Sequence, residues 1–399
     1  MMSLPWQTLA LNPLAAFGVL LSLGVIGGQI AVRVARLPAI VGYVLTGLLI
    51  GPHSLRLLDE QLLQQASIFV HLALGIALFE AGRRVDLRWL RVERTLLLTT
   101  LFYCLLTLLG LFAALQLFGL GLAASLMLAA LGVATSPVVT LEIVRESNAD
   151  GQVSERLLVA TALSNLLALP CFALALSYGH LSGNNGVESG ILLPGWLTLA
   201  SCALGLLAGL AAIQLNRWLG GRQRESQKVM LFGLIALVVG VADMLQVLPS
   251  LALLTAGLAT RNLKHGHTVT ERGIMSSAHI FTVAFFVAAG AQLAPQSLAQ
   301  FWPVALACLL LRTGFAVLIW WLAAGANGLP KRHGACLGLA LNSWSGGTSL
   351  LMSLGAISLG AAAGNFSGVM MAILVINELC APVLTRLALK LAGETRPQE

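Results

Sequence analysis

The chain has 399 residues, of which 58% are hydrophobic and 10% are charged, and its mean hydropathy is +0.88. These values exclude a soluble globular protein and are typical of a chain that crosses a membrane many times. The net charge of +7 reports membrane topology rather than a nucleic-acid partner, because the basic residues collect in loops between apolar segments. No polar stretch is long enough for a soluble domain, so we expect one integral membrane domain at residues 1–392 and a short polar cytoplasmic tail at 393–399.

Thirteen apolar segments are predicted when about 20 residues are allowed for each helical crossing of the bilayer. In chain order they are Leu14–Ala31, Ala39–Ile50, Leu62–Gly82, Thr95–Leu117, Leu122–Val144, Leu157–Leu176, Ile191–Leu215, Val229–Leu245, Leu248–Ala259, Gly273–Leu293, Phe301–Ala324, Cys336–Leu354 and Gly368–Ala388. The second and the ninth segments are short for helices that cross a bilayer alone.

Polar residues interrupt two neighbouring segments at mid-depth. The fifth contains Thr135-Ser136-Pro137, and the sixth contains Ser164-Asn165. Pro137 removes a backbone donor and leaves carbonyl groups without partners, which a bilayer tolerates only where the backbone is buried in protein or lines a wet cavity. The pattern predicts a substrate site near the membrane midplane.

An internal repeat with an offset of about 210 residues relates the halves 14–176 and 229–390, which the segment 191–215 links. The matching stretches are His71–Gly82 with His279–Gly290, Leu37-Pro38 and Gly47-Leu48 with Leu248-Pro249 and Gly257-Leu258, and Ser136-Pro137 with Ser345-Gly346-Gly347. Paired segments are seven apart, so the two halves are expected in opposite orientations. Inverted repeats with one broken helix each are typical of secondary transporters.

The basic residues support this topology. With an outside N-terminus and a cytoplasmic C-terminus, the inside loops and tail hold 21 of the 23 Lys and Arg residues, and only Arg56 and Arg312 fall elsewhere. No Lys or Arg precedes Arg33, which argues against a cleaved signal peptide. The distribution obeys the positive-inside rule in every predicted inside loop.

Motifs along nearly the whole chain are shared with one family. They are Arg36–Pro52, Leu78–Gly82, Ala134–Val139, Leu248–Ser250 with Ala256–Leu258, and Phe285–Gly290. On these motifs the chain resembles the cation/proton antiporter superfamily, of the monovalent cation:proton antiporter-2 type. That branch contains the glutathione-gated potassium efflux antiporters and bacterial sodium/proton exchangers.

The resemblance implies an all-α integral membrane protein with about 13 transmembrane helices, inverted repeats and two crossed discontinuous helices. It also implies a homodimer in the plasma membrane, which is the inner membrane of bacteria. A core domain would move like an elevator against a dimerisation domain. Ions would bind where the two broken helices cross.

The sixth segment departs from the family where relatives carry an aspartate that binds the cation and releases a proton. Here Asn165 follows Ser164, and an amide cannot carry a proton at any relevant pH. The tenth segment lacks the lysine or arginine that many relatives have. In the twelfth, Asn342–Thr348 stands where relatives often have an Arg-Gly-Glu-like sequence.

Neutral oxygen ligands for a monovalent cation are predicted at Thr135, Ser136, Ser164 and Asn165. Glu80, near the inner end of the third segment, is the remaining candidate carboxylate and would carry the exchanged proton if transport is proton-coupled. The alternative is that Glu80 forms an ion pair with Arg83 or Arg84, three and four residues further along the same helix face.

Other ionisable groups inside apolar segments are costly to bury and are therefore candidates for function. Arg312 and Glu378 lie at similar depth and are expected to form an ion pair, structural or gating. His71 and His279 occupy equivalent repeat positions and are candidates for pH sensing, with satisfied polar groups at helix interfaces as the alternative. Glu142, near the inner end of the fifth segment, is expected to face water.

These observations predict a secondary active transporter that exchanges Na⁺ or K⁺ for protons. Two alternatives remain, because Asn165 replaces the acid: a transporter of an anion or neutral solute, and a relative that senses without transporting. No nucleophile elbow, metal-ligand cluster or nucleotide-binding motif is visible, so we expect no enzyme, no catalytic residues, and no cofactor or metal beyond the transported cation and proton. Membrane lipid and a second copy of the chain are the expected partners.

Overall fold

The structure is a computed structural model that describes residues 13–58, 60–182, 192–219, 224–263, 274–344, 348–360 and 363–396. In these ranges the chain forms sixteen α-helices, a π-helical turn at Trp196–Ala200, a 3-10 turn at Gly325–Asn327 and one isolated β-bridge. The helices are α1 Pro13–Arg33, α2 Ala39–Ile50, α3 Glu60–Arg84, α4 Leu87–Val92, α5 Arg94–Leu117, α6 Leu122–Val133, α7 Pro137–Glu146, α8 Gln152–Ser182, α9 Ser201–Trp218, α10 Arg224–Met244, α11 Pro249–Asn262, α12 Ile274–Gln292, α13 Pro295–Leu322, α14 Lys331–Ala340, α15 Thr348–Leu359 and α16 Ala363–Leu391.

Each predicted apolar segment coincides with a helix or with a pair of helices. Seven helices among the described residues are long and apolar enough to cross a bilayer, namely α1, α5, α8, α9 with the turn before it, α10, α13 and α16. The other predicted segments correspond to α3, to the shorter α2, α11 and α12, and to the pairs α6/α7 and α14/α15. The prediction that the fifth and twelfth segments are interrupted is confirmed by these two pairs. Ser345, Gly346 and Gly347 themselves lie outside the described residues.

The prediction that Ser164-Asn165 also interrupts the sixth segment is wrong, because α8 is continuous from Gln152 to Ser182. Both side chains donate to the carbonyl of Thr161 on the same helix and leave the helix intact.

Packing between the repeats follows the symmetry predicted from the sequence. The repeat matches α2 with α11 and α3 with α12, and the structure packs α2 against α12 and α11 against α3. The same contact is therefore made twice. In each case a helix of one half packs against the repeat equivalent of its own neighbour, which belongs to the other half. This arrangement confirms the internal repeat.

Glycines explain why these helices approach so closely. A Cβ on Gly290 of α12 would collide with the backbone carbonyl of Val44 in α2, and a Cβ on Gly257 of α11 would collide with the carbonyl of Phe79 in α3. Both glycines belong to the sequence stretches that defined the repeat. Small residues at membrane helix interfaces let backbones meet where a side chain would hold them apart.

The helices form two groups that pack mainly within themselves. The crossing bundle consists of α5 to α8 and α13 to α16, and includes both interrupted helices. The flanking bundle consists of α1 to α3 and α9 to α12. The two bundles meet where α3 lies against α7 and α8, α2 against α16, and α11 against α8.

Replacing either interface glycine by alanine should destabilise the protein. We expect Gly290→Ala and Gly257→Ala to lower the free energy of unfolding by about 1–3 kcal/mol, the usual cost of overpacking. Thermal unfolding of the detergent-purified protein, followed by fluorescence-detected size-exclusion chromatography, measures the change. Gly314→Ala is the matched control, because a Cβ there meets nothing within 4 Å and alanine favours the helix. Equal unfolding temperatures for all three variants would contradict the close-packing argument.

Candidate functional site at the crossing of two broken helices

The two interrupted helices meet at their breaks. Thr135 and Trp344 form an antiparallel β-bridge, and the backbone N–H of Ser136 donates to the carbonyl of Ser343 at 3.0 Å. These four residues are fully buried. The breaks therefore lie side by side inside the protein, where each supplies partners for backbone groups that the helices no longer use.

Local sequence explains why the first helix stops and restarts here. Pro137 occupies the first turn of α7, where its missing N–H costs no hydrogen bond. Ser136 caps this helix, because its hydroxyl accepts a hydrogen bond from the backbone N–H of Val139 at 3.3 Å. Serine followed by proline is thus a strong start signal for α7 in the middle of an apolar segment.

Arg312 of α13 joins the two breaks. Its guanidinium donates to the carbonyl of Asn342 at 2.5 Å, and at 3.2 Å each to the carbonyls of Ala134 and Ser343 and to the Thr135 hydroxyl. These carbonyls follow the C-terminal ends of α6 and α14, where a helix leaves acceptors unsatisfied and its dipole is negative. A fully buried positive charge is therefore stabilised by two helix ends.

Ser164 and Asn165 of α8 contact the same break. The Asn165 amide nitrogen donates to the carbonyls of Thr135 at 2.6 Å and of Thr161 at 2.8 Å. Ser164 accepts from the backbone N–H of Thr135 at 3.3 Å and donates to the carbonyl of Thr161 at 2.9 Å. Because both partners of Asn165 are carbonyls, its amide nitrogen must face them and its oxygen must point away. The sequence-predicted polar residues Thr135, Ser136, Ser164 and Asn165 are thus brought together.

Comparison with known proteins places this arrangement in a family. Residues 18–390 match the sequence profile described as sodium/hydrogen exchanger, transmembrane. The chain belongs to this family. Its members are transporters rather than enzymes, which agrees with the expected function class. None of the proteins with curated descriptions matches the chain by sequence.

Solved structures of one antiporter share the fold of this exchanger family member. The structure of the sodium proton antiporter MjNhaP1 from Methanocaldococcus jannaschii at pH 8 is 17% identical, with a TM-score of 0.72, and the match covers 96% of this chain and 99% of that one. An electron microscopy map of the same antiporter gives 19% identity and a TM-score of 0.65, with the same coverage. At this identity the likeness establishes the fold of the exchanger, with its crossed discontinuous helices.

Glu80 of the exchanger lines a cavity of about 520 Å³ between α3, the start of α8 and the end of α11. The lining residues are Glu80, Arg83, Arg84, Asp86, Trp89, Glu155, Leu158, Val159 and Arg261. Leu158 precedes Asn165 by seven residues, which on a helix means the same face and about 10 Å along the axis. The cavity therefore lies beside the same face of α8 as Asn165, at the end predicted to be cytoplasmic.

The carboxylate of Glu80 forms ion pairs with Arg83 at 3.3 Å and with Arg84 at 3.4 Å. This is the alternative geometry that the sequence suggested, and two cations stabilise the charged form of the carboxylate. At the mouth of the cavity, burial alone would raise the pKa of the Asp86 carboxyl. Hydrogen bonds from the backbone N–H groups of Trp89 and Arg88, with nearby Arg261, outweigh burial and hold that pKa below its ordinary value.

Glu142 does not face water as expected. Its side chain is buried, because it forms an ion pair with Arg145 at 3.1 Å and lies 3.5 Å from Nδ1 of His279. The other sequence-predicted histidine, His71, has a different environment, with its Nδ1 lying 2.6 Å from the carbonyl of Ser67 on its own helix. Equivalent repeat positions thus have different partners, and pH sensing by the pair stays a prediction.

The expected ion pair between Arg312 and Glu378 is absent from the described structure. The physical reason is that both terminal nitrogens of Arg312 already donate to carbonyls at the two breaks. Glu378 is 2% exposed, and its Oε2 has no hydrogen-bond partner among the described residues. The neighbouring Asn377, which sequence analysis missed, is 1% exposed and has no side-chain partner in the same part of the chain.

Replacing Arg312 by lysine should weaken the crossing. A lysine ammonium is a point charge and cannot present the planar fork that reaches oxygens on two segments. We expect Arg312→Lys to lower the free energy of unfolding by roughly 3 kcal/mol, the value of one or two hydrogen bonds to a charged group. Thermal unfolding in detergent is the measurement. Arg396→Lys, at a side chain that is 72% exposed, should leave the unfolding temperature unchanged, and the same result for Arg312→Lys would refute its bridging role.

Proposed function

We propose that the chain is a secondary active transporter that exchanges Na⁺ or K⁺ for protons by alternating access. Membership of the sodium/hydrogen exchanger family supports this proposal. The observation that carries it is the crossing itself, where two helix breaks lie side by side and polar side chains of α8 contact the first of them. Such broken helices offer backbone and side-chain oxygens to an ion inside an apolar protein.

The cation is proposed to bind beside Thr135, Ser136, Ser164 and Asn165. The hydrogen bonds of Asn165 direct its amide oxygen away from the break, and an amide oxygen is a suitable ligand for a hard cation. The charge of Arg312 is offset by the carbonyls of two helix ends, so it opposes cation binding less than an isolated arginine would. Water would reach this region through the cavity of about 520 Å³.

Transport is proposed to move the crossing bundle against the flanking bundle, as an elevator. Two observations favour this division. Each bundle packs mainly within itself, and the cavity of about 520 Å³ lies between α8 of the crossing bundle and α3 and α11 of the flanking bundle. We further propose that the protein is a homodimer in the plasma membrane, with its N-terminus outside and its C-terminus in the cytoplasm.

The alternative cargo, an anion or a neutral solute, is favoured by one observation: an amide rather than a carboxylate contacts the break, and Arg312 lies beside it. Ligand-dependent thermal stabilisation of the purified protein separates the two. The proposal requires stabilisation by Na⁺ or K⁺ over choline, whereas stabilisation only by organic solutes or anions would support the alternative. A sensing relative would show no flux of any of these in liposomes.

Exchange itself is tested in everted membrane vesicles from a host that lacks its own exchangers. The pH gradient is followed by acridine orange, and NaCl, KCl or choline chloride is added over a series of pH values. We expect Na⁺ or K⁺, but not choline, to dissipate the gradient and restore the fluorescence. Vesicles with verified protein that respond to none of these salts would contradict the proposal.

Glu80→Gln should keep cation-induced recovery of fluorescence, because the carboxylate of Glu80 is engaged in ion pairs with Arg83 and Arg84. We expect a lower unfolding temperature and an unchanged pH profile of exchange. Glu155→Gln, which removes an exposed carboxylate of the same cavity, is the control for the charge of the cavity. Loss of exchange in Glu80→Gln, with exchange kept in Glu155→Gln, would show instead that Glu80 carries the exchanged proton.

A further inference from the structure

Three carboxylates are buried in the part of the chain that the structure describes: Glu80, Glu142 and Glu378. Glu80 is paired with two arginines, and Glu142 is paired with Arg145. Glu378 has no ion pair with any described residue. A carboxylate without a cation is very costly to bury, so a carboxyl group in such a place is stable when it holds a proton.

Glu378 lies on the side of α16 that packs against the second interrupted helix. Thr385, on the same helix α16, donates to the carbonyl of Ala340 at 3.1 Å, and Ala340 is the last residue of α14. Glu378 lies seven residues before Thr385, which puts both on one helix face, about 10 Å apart along the axis. At the beginning of α16, Phe366 packs against α15, because a Cβ on Gly355 of α15 would lie 2.8 Å from the ring of Phe366. The α14–α15 pair thus runs antiparallel to α16, and Glu378 lies level with the break that begins after Ala340.

Other buried polar atoms at this level also have no hydrogen-bond partner among the described residues. They are Nδ2 of Asn342, Oγ of Ser343, and both amide atoms of Asn377. The Asn342 oxygen is already used, because it accepts from the hydroxyl of Thr313. Buried polar groups without partners are rare in folded proteins and point to a bound ion, proton or water.

The internal repeat relates this region to Asn165. With an offset of 212, Asn165 and Pro170 of α8 align with Asn377 and Pro382 of α16, and each proline lies inside its helix. Glu378 therefore follows the repeat equivalent of the residue that replaced the acid. The carboxyl group missing from the first half of the chain is present in the second half, one residue further along.

We propose that Glu378 carries the exchanged proton, an inference that rests on the proposed antiport. In this cycle the O–H bond of the Glu378 carboxyl breaks as a cation binds at the crossing, and the proton passes to water on the side then open. The carboxylate left behind balances the charge of the cation. Rebinding of a proton to Glu378 on the other side removes that balance and releases the cation, with no change of redox state.

The helices packed against α16 carry further titratable and charged groups. They are Tyr43 on α2, Glu142, Arg145 and Glu146 on α7, Cys308 and Arg312 on α13, and Lys331, Arg332, His333 and Cys336 on α14, with Cys380, Arg386 and Lys390 on α16 itself. The acids of α7 have their own cations, since Glu142 pairs with Arg145 and Glu146 lies 3.9 Å from Arg386. Both terminal nitrogens of Arg312 donate to carbonyls. Glu378 is thus the acid whose protonation no described cation opposes.

The test uses the full chain in everted vesicles and in detergent. We expect Glu378→Gln to reduce cation-induced recovery of fluorescence at least tenfold at every pH. Proton release should also disappear when Na⁺ or K⁺ is added to the purified variant in weak buffer. Glu142→Gln is the matched control, because the same isosteric change at an ion-paired carboxylate should keep both signals. If the wild type shows neither signal, the proposed antiport fails; if Glu378→Gln behaves as the wild type, only the role of Glu378 fails.

Two further variants extend the test, and the first of them also covers the case in which Glu378→Gln does not fold. Glu378→Asp keeps an acid on a shorter side chain and should retain exchange with a displaced pH profile, which a merely structural role would leave in place. Asn165→Asp, combined with Glu378→Gln, puts a carboxyl back at the crossing and should restore proton release. An unchanged pH profile in Glu378→Asp, or a folded double variant without proton release, would overturn the inference.

Discussion

The architecture depends on how a guanidinium group is satisfied inside the protein. Arg312 reaches carbonyls at the ends of α6 and α14, and these belong to opposite halves of the repeat. Each interrupted helix alone would expose several backbone acceptors in an apolar environment, at a cost of a few kcal/mol each. Crossing the two breaks and inserting one arginine satisfies both at once. The hydrogen bonds of Arg312 therefore stabilise the crossing. The hydrogen bonds of Asn165 to the carbonyls use its amide nitrogen and not its amide oxygen.

Duplication explains much of the remaining geometry. The contact of α2 with α12 and the contact of α3 with α11 are related by the repeat, and glycines at Gly257 and Gly290 keep both backbones close. The breaks are related in the same way. Equivalent ionisable side chains have different partners in the two halves. His71 contacts its own helix, whereas His279 lies beside Glu142 and Arg145.

Sequence predicted the elements whose signals are local or repeated. The apolar segments correspond to helices, and the predicted interruption at Ser136-Pro137 lies between α6 and α7. The repeated stretches with Gly257 and Gly290 form the close contacts of α11 with α3 and of α12 with α2. The partners of buried charges were harder to predict. Arg312 and Glu378 have opposite charges at similar depth, but backbone carbonyls compete for the arginine and are invisible in a sequence. Glu142 was assigned to water for a similar reason, because its burial depends on Arg145 and His279 rather than on its own segment.

The permanence of the arginine charge has a further consequence. A guanidinium cannot lose its proton in a protein, so the crossing keeps this positive charge whether or not a cation is bound. A charge that moves across the whole membrane potential changes its energy by about 2.3 kcal/mol for each 100 mV. If the crossing is displaced along the membrane normal, voltage acts on Arg312 even in the unloaded protein. The resting orientation of the carrier would then differ between energised and de-energised cells.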